Sequence, residues 1–258
     1  MVKRICYEQP LNERIRTLLR LEFLFQQIQD SAPGHSVWAT RHALQGLIDL
    51  LNLTSRNELK SELRKELERH AASLNRLRYK QTPDVDATTL EIILNDITQA
   101  MHRVNSIDNY AIESVRKNDF LSAIRQRSSI PGGTCLFDLP ALHHWLQQDS
   151  DTRIGDIDSW LQPLQPLQDA IQLILRLVRE SAIPTQEIAP AGFFQKALDS
   201  NSPSQLVRVI LPSETNVFPE ISGGRHRFSI RFMIQPDLNN KAIPSHDDIA
   251  FKLVCCVI

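Results

Sequence analysis

The sequence predicts an α+β fold, a mainly α-helical domain with a small antiparallel β-sheet domain. Two observations predict it. From Leu11 to Ser181, apolar residues recur at spacings of three and four, the period of a helix. After Pro184 the period drops to two, most clearly where Phe228, Ile230, Phe232 and Ile234 alternate with Arg227, Ser229, Arg231 and Met233. The helical domain is expected over 11–183. The β domain is expected over 184–258, with residues 1–10 adding an N-terminal strand that joins the two ends of the chain. A chain of 258 residues, 42% of them hydrophobic, can bury a sizeable core.

Each element has its own signal. Val2 to Tyr7 reads as a strand ended by Gln9-Pro10. Leu11 to Gln29 carries a wide apolar face, and Arg16 and Arg20 share its polar side at i,i+4. Ala32-Pro33-Gly34-His35 is a loop, and Val37 to Leu51 is helical again. Ser55 and Glu58 form a capping box for a helix reaching about Tyr79. Its stripe of Leu59, Leu63, Leu67, Leu74 and Leu77 is narrow, so it packs against one neighbour, in its own subunit or in a partner. Gln81-Thr82-Pro83-Asp84 ends it. Helices follow over Leu90–Val104, Ile107–Val115 and, capped by Asn118, Asp119–Arg127.

Ile130-Pro131-Gly132-Gly133 breaks that last helix, because Pro131 has no N–H and the glycines permit positive φ. Asp138 is expected as the N-cap of the next helix, with Pro140 in its first turn. An acidic loop at Asp149 to Asp151 precedes a short helix around Ile157–Leu161. Leu167 to Ser181 is apolar almost all round and reads as a central helix. The strand candidates are Leu206–Leu211, Arg225–Ile234 and Ile249–Cys255, enough for an antiparallel sheet.

Composition narrows the function. The net charge is −1, so no global field draws nucleic acid or anionic membrane. No apolar run reaches the length of a transmembrane helix, and M-V-K-R-I-C-Y-E lacks the apolar region of a signal peptide. Cys6, Cys135, Cys255 and Cys256 form no C-x-x-C pair, and a reducing cytoplasmic compartment is expected. Cys255-Cys256-Val257-Ile258 fits a prenylation pattern formally, against the reading that these residues finish an apolar strand.

The sharpest chemical signal is the strand at 225–234. One face buries large apolar side chains; the other presents Arg225, Arg227 and Arg231, with no acidic residue between Gly223 and Gln235. Guanidiniums on one strand face suit carboxylates or phosphates. The alternative is a solvated face, or arginines paired with acids of a neighbouring helix. Arg116, Lys117, Arg125 and Arg127 form a second basic group, which also reads as cations complementing a helix dipole. His143 and His144, with Ser128 or Ser129 and Asp138, invite a hydrolase reading. No nucleophile-elbow motif supports it, and His143 is expected to be a partly buried helix residue. No motif indicates a metal or a cofactor.

The stretch R-Q-R-S-S-I-P-G-G-T-C-L-F-D-L-P-A-L-H-H-W-L from Arg125 to Leu146 resembles the core of the ZapD family of bacterial cell-division proteins. Tyr7 to Glu13 with Arg16, Leu19-Arg20 and Glu22-Phe23-Leu24 is similar to the family's N-terminus. Leu63 to Arg69, Pro219 to Gly223 and Arg227 to Met233 are similar to three further segments. The resemblance implies a cytoplasmic, non-enzymatic homodimer without cofactors. It would bind the C-terminal peptide of FtsZ, the tubulin-like division GTPase, bundle its filaments and stabilise the Z-ring at midcell, with no nucleic-acid or membrane partner. It implies that Arg227 and Arg231 lie on the tail-binding surface. Arg225 extends that surface by proximity, and His143 borders it. Arg16, Arg20, Arg116, Arg125 and Arg127 are further candidates. Asp119 departs from relatives that carry arginine there. The same arginines would also suit a nucleic-acid or phospholigand module, the competing function.

Overall fold

The computed structural model describes residues 3–54, 59–79, 86–199, 203–224 and 226–257. The capping box at Ser55 and Glu58, the helix stop at 81–84 and Arg225 lie outside the described residues. The chain divides into two compact units, Met1–Leu18 with Leu175–Ile258, and Leu19–Ile174. The fold is α+β.

The β unit contains β1 (Arg4–Pro10), β2 (Thr185–Ala189), β3 (Phe193–Ala197), β4 (Ser204–Pro212), β5 (Val217–Gly223), β6 (Arg227–Ile234), β7 (Ile243–Pro244) and β8 (Ile249–Val257). They form two antiparallel sheets, ordered β1-β4-β8-β2 and β3-β6-β5, with β7 also paired to β6. The N-terminal strand does join the C-terminal region: Cys6 lies opposite Ile210 and Glu8 opposite Arg208. Val207, Val209, Phe251 and Leu253 of one sheet share a core with Phe228, Ile230 and Phe232 of the other. Phe251 packs at 5.2 Å from Phe232 and 5.3 Å from Phe194, ring centroid to centroid.

The sheet count corrects the sequence expectation of one small sheet. β2 and β3 have five residues each, too few to establish a period. β5 contains Pro219, which argues against a strand because it cannot donate to a ladder. At the sheet edge that N–H is not needed, and Pro219 sits in register with Phe232. Cys255 and Cys256 are rungs of β8, opposite Val207 and Leu206 of β4, as the strand reading expected. Burial there pushes the Cys256 thiol up to about 12.

An ion network closes the outer face of the first sheet. Helix α9 (Gln165–Glu180) ends there. Arg179 Nε and Nη2 donate to the two carboxylate oxygens of Glu8, both at 2.9 Å, and Arg208 Nε lies 2.9 Å from Glu8 Oε1.

The helical unit holds the rest of the helices, named in chain order. α1 (Glu13–Ser31) crosses the division between the units, as α9 does. α2 (Val37–Leu53), α3 (Leu59–Tyr79), α4 (Ala87–Asn105), α5 (Asn109–Arg116), α6 (Asp119–Ser128), α7 (Pro140–Leu146) and α8 (Ser150–Leu161) follow. Ser36, Asp86, Asp108, Asn118 and Asp149 cap helices by accepting backbone N–H bonds. The first part of the α3 stripe is met within the chain: α3 packs on α4, with Leu63 and Leu67 fully buried.

Three local expectations are corrected. Asp149 to Asp151 is not a loop but the cap and first turn of α8. Asp138 is not the N-cap of α7. Leu139 holds that position without a side-chain bond, and Asp138 instead accepts from Cys135 Sγ at 3.2 Å and faces Arg127 at 3.6 Å. His143 is exposed on α7 rather than partly buried. The two glycines before α7 serve different ends. Gly132 adopts φ +71°, whereas a Cβ on Gly133 would lie 2.4 Å from the Arg127 carbonyl oxygen.

Candidate functional site

Strand alternation builds the site. Phe228, Ile230 and Phe232 are driven into the core, so Arg227, Ser229 and Arg231 must point the other way. Both arginines are exposed, and neither side chain has a hydrogen-bond or ion-pair partner among the described residues. Four residues apart on one strand, they stand about 13 Å from each other.

Register supplies the surroundings that the sequence hid. Phe193 on β3 and Glu220 on β5 flank Arg231, and Ala197 flanks Arg227. Glu220 is the acid that a scan along β6 alone misses. Cross-strand neighbours have Cβ atoms about 5 Å apart, so Glu220 moderates the charge near Arg231 without closing an ion pair. Beside Arg227 a cavity of about 460 Å³ opens, lined by Gln195, Ser222, Gly224, His226 and Ser229. Arg227 lines it together with His226, the polar side chains of Gln195, Ser222 and Ser229, and Phe228.

The other candidate cations lie elsewhere in the fold, in different electrostatic settings. Arg16 faces Glu13 at 3.1 Å within α1, and Arg20 is exposed one turn on. Arg125 is half-buried, and Arg127 faces Asp138. Arg116 is the most committed. It pairs with Glu113 at 2.7 Å and donates to the Thr54 carbonyl, which caps the end of α2. Lys60 does the same for α4, donating to the carbonyls of Asn105 at 3.2 Å and Ile107 at 3.3 Å. Both cations border a cavity of about 480 Å³ with an apolar floor that includes Leu59, Ile112 and Leu167. Their charge is set against helix C-termini, where the macrodipole is negative.

The hydrolase alternative finds little support in this geometry. Ser128 Oγ donates to the Arg125 carbonyl at 2.9 Å, a local helix bond. The described residues contain no group of three or more His, Cys, Asp or Glu side chains placed to hold a metal. No helix among them is long and apolar enough to cross a membrane.

One functional-looking residue had no signal in the sequence. Arg153 of α8 is 4% exposed, and its three bonds go to uncharged oxygens: Thr40 Oγ1 at 3.0 Å, His35 O at 3.0 Å and Asp149 O at 3.4 Å. Its partners on α2 and the preceding loop are more than 100 positions away, beyond any local pattern.

These features define a class: an α+β protein whose β unit displays, on one strand face beside a groove, arginines unpaired among the described residues. A family model described as "ZapD: Cell division protein" matches residues 19–231. The chain is 40% identical over 258 residues to "Cell division protein ZapD" of Methylococcus capsulatus, covering 100% of both chains. It is 38% identical over 257 residues to the protein of that name from Coxiella burnetii, covering 98% of both. The protein of that name from Azoarcus sp. is 37% identical over 254 residues, covering 98% of this chain and 100% of its own. The chain belongs to the ZapD family of cell division proteins.

Proposed function

We propose that this protein is a non-enzymatic division factor that binds the C-terminal tail of FtsZ and, as a homodimer, cross-links FtsZ filaments. It acts in the cytoplasm at the midcell Z-ring. The observation that carries this reading is the pair of guanidiniums, Arg227 and Arg231, on the outer face of β6, without a partner among the described residues. An acidic, partly apolar tail supplies carboxylates to those arginines and apolar side chains to neighbours such as Phe193. A filament presents many tails, so a dimer with two sites gains avidity well beyond either contact. Arg225 is assigned to the same surface by its place in the sequence. Arg16, Arg20, Arg125, Arg127 and His143 are secondary contacts in this proposal. Arg116 contributes least, since its guanidinium is already bound to Glu113 and Thr54.

The dimer contact is sought away from the α3 stripe, whose Leu63 and Leu67 are 1% and 0% exposed within one chain. The test is fluorescence polarisation of a labelled FtsZ tail peptide against wild type and Arg227→Glu/Arg231→Glu. The expected outcome is at least about a hundredfold loss of affinity with folding unchanged, the size of two lost charge-assisted contacts. Equal binding by the double variant removes the strand from the account. Generic DNA titrated in parallel discriminates the nucleic-acid alternative, in which DNA rather than the tail binds in an arginine-dependent way.

A further inference from the structure

The helical unit presents a second concave site, built on different residues. Between α2, α6 and α7 lies a cavity of about 270 Å³. Its floor is Leu44, Ile124 and Leu142, each at most 3% exposed, one from each helix. Its rim is Trp38, Arg41 and His42 at the start of α2. Trp38 is 78% exposed, an unusual state for the largest apolar side chain.

The rim is held in place. The Arg41 guanidinium sits 5.6 Å from the Trp38 ring centroid, within cation–π range. Arg41 Nη1 donates to the Thr134 carbonyl at 3.1 Å, tying α2 to the turn before α7. That turn carries Phe137, 84% exposed, and Leu136, 48% exposed. It is pinned by successive backbone bonds, Gly133 N to Ile130 O at 2.8 Å and Cys135 N to Gly132 O at 2.9 Å. An exposed indole and a fixed arginine above an apolar floor form the residue set that dominates protein–protein hot spots. Because both are held before binding, little ordering cost opposes a ligand.

Charge selects the occupant. The lining contains Arg41 and His42 and no carboxylate. Asp49, an acid farther along α2, is occupied by Gln45 Nε2 at 3.1 and 3.2 Å. Asp138 is turned to Arg127 and Cys135. We propose that the pocket beneath Trp38 is a docking site for a segment of a partner protein that inserts one aliphatic or aromatic side chain and sets flanking carboxylates against Arg41 and His42. The floor gives affinity by excluding water, and the Arg41 guanidinium at the rim gives sign selectivity. This site is distinct in residues from the β6 arginines and stands whether or not those bind FtsZ.

The probe is a fluorescein-labelled eight-residue peptide with a central leucine–phenylalanine pair between glutamates. Its controls carry alanines at the centre or lysines in the flanks. Polarisation with the full-length protein is expected to saturate with the acidic probe and not with either control. Trp38→Ala and Arg41→Glu should each weaken binding about tenfold or more, one hot-spot contact each. Gln45→Glu, which adds a carboxylate to the wall, should weaken it as well. Circular dichroism of each variant checks the fold. The indole N–H resonance missing from Trp38→Ala should shift on titration into wild type. Arg227→Glu/Arg231→Glu should bind the probe as wild type does. The proposal is overturned if the lysine-flanked peptide binds equally, if Trp38→Ala binds unchanged, or if the β6 variant loses the probe. Those outcomes leave the FtsZ-tail measurement, read with a different peptide and different variants, standing or falling by itself.

Discussion

Arg231 on β6 and Arg153 on α8 carry the same group into opposite situations. Arg153 is buried, and three oxygens of the helical unit accept its hydrogen bonds. Arg231 is exposed and has no fixed partner among the described residues, although Glu220 stands opposite in the ladder. A buried guanidinium has lost its hydration and must be satisfied by the fold. An exposed one keeps its water and can exchange it for a ligand's carboxylate. Arg116 lies between the two, partly buried and bound to a helix C-terminus. The side chain's chemistry is constant, so the acceptors around it decide whether an arginine is structural or available.

Replacing each of the three by methionine, which keeps an unbranched apolar stem, separates these roles. Arg153→Met should have the largest effect, lowering unfolding free energy by about 2–4 kcal/mol, because it removes three hydrogen bonds of a buried guanidinium and leaves the buried Thr40 hydroxyl without that donor. Urea unfolding followed by circular dichroism reads this out, and a shift below about 0.5 kcal/mol would mean that water replaces the guanidinium. Arg116→Met should cost about 1–2 kcal/mol by uncapping α2, while affinity for the FtsZ tail changes less than with the β6 variants. Arg231→Met should change stability by less than about 0.5 kcal/mol while weakening tail binding severalfold. If Arg231→Met destabilises the fold as much as Arg116→Met, the cross-strand Glu220 contact is structural and the distinction between the two arginines collapses.

Much of the fold was legible locally. Helix periods, the caps Asn118 and Asp149, and the α6 stop at Pro131-Gly132-Gly133 are short-range features, and all but the assignment of Asp149 were read correctly. The alternation in β6 was legible for the same reason, since Phe228, Ile230 and Phe232 need one face. β5 was hidden because its proline is tolerated only at an edge, and edges exist only once strands are ordered. Asp138 was misassigned because three candidate acceptor uses compete within a few residues, and the Arg127 and Cys135 contacts won.

By itself the sequence determined the α+β class, the order of the principal helices and strands, and the face on which the β6 arginines lie. These follow from periodicity and capping, which act within a few residues. Only the tertiary structure decided which cations are committed. Glu8 meets Arg179 across 171 positions, Arg153 meets Thr40 across 113, and Glu220 comes opposite Arg231 through strand register. Partnering depends on which distant acceptors the packed elements bring within about 3 Å, a distance set by closure of the core and not by any neighbour along the chain.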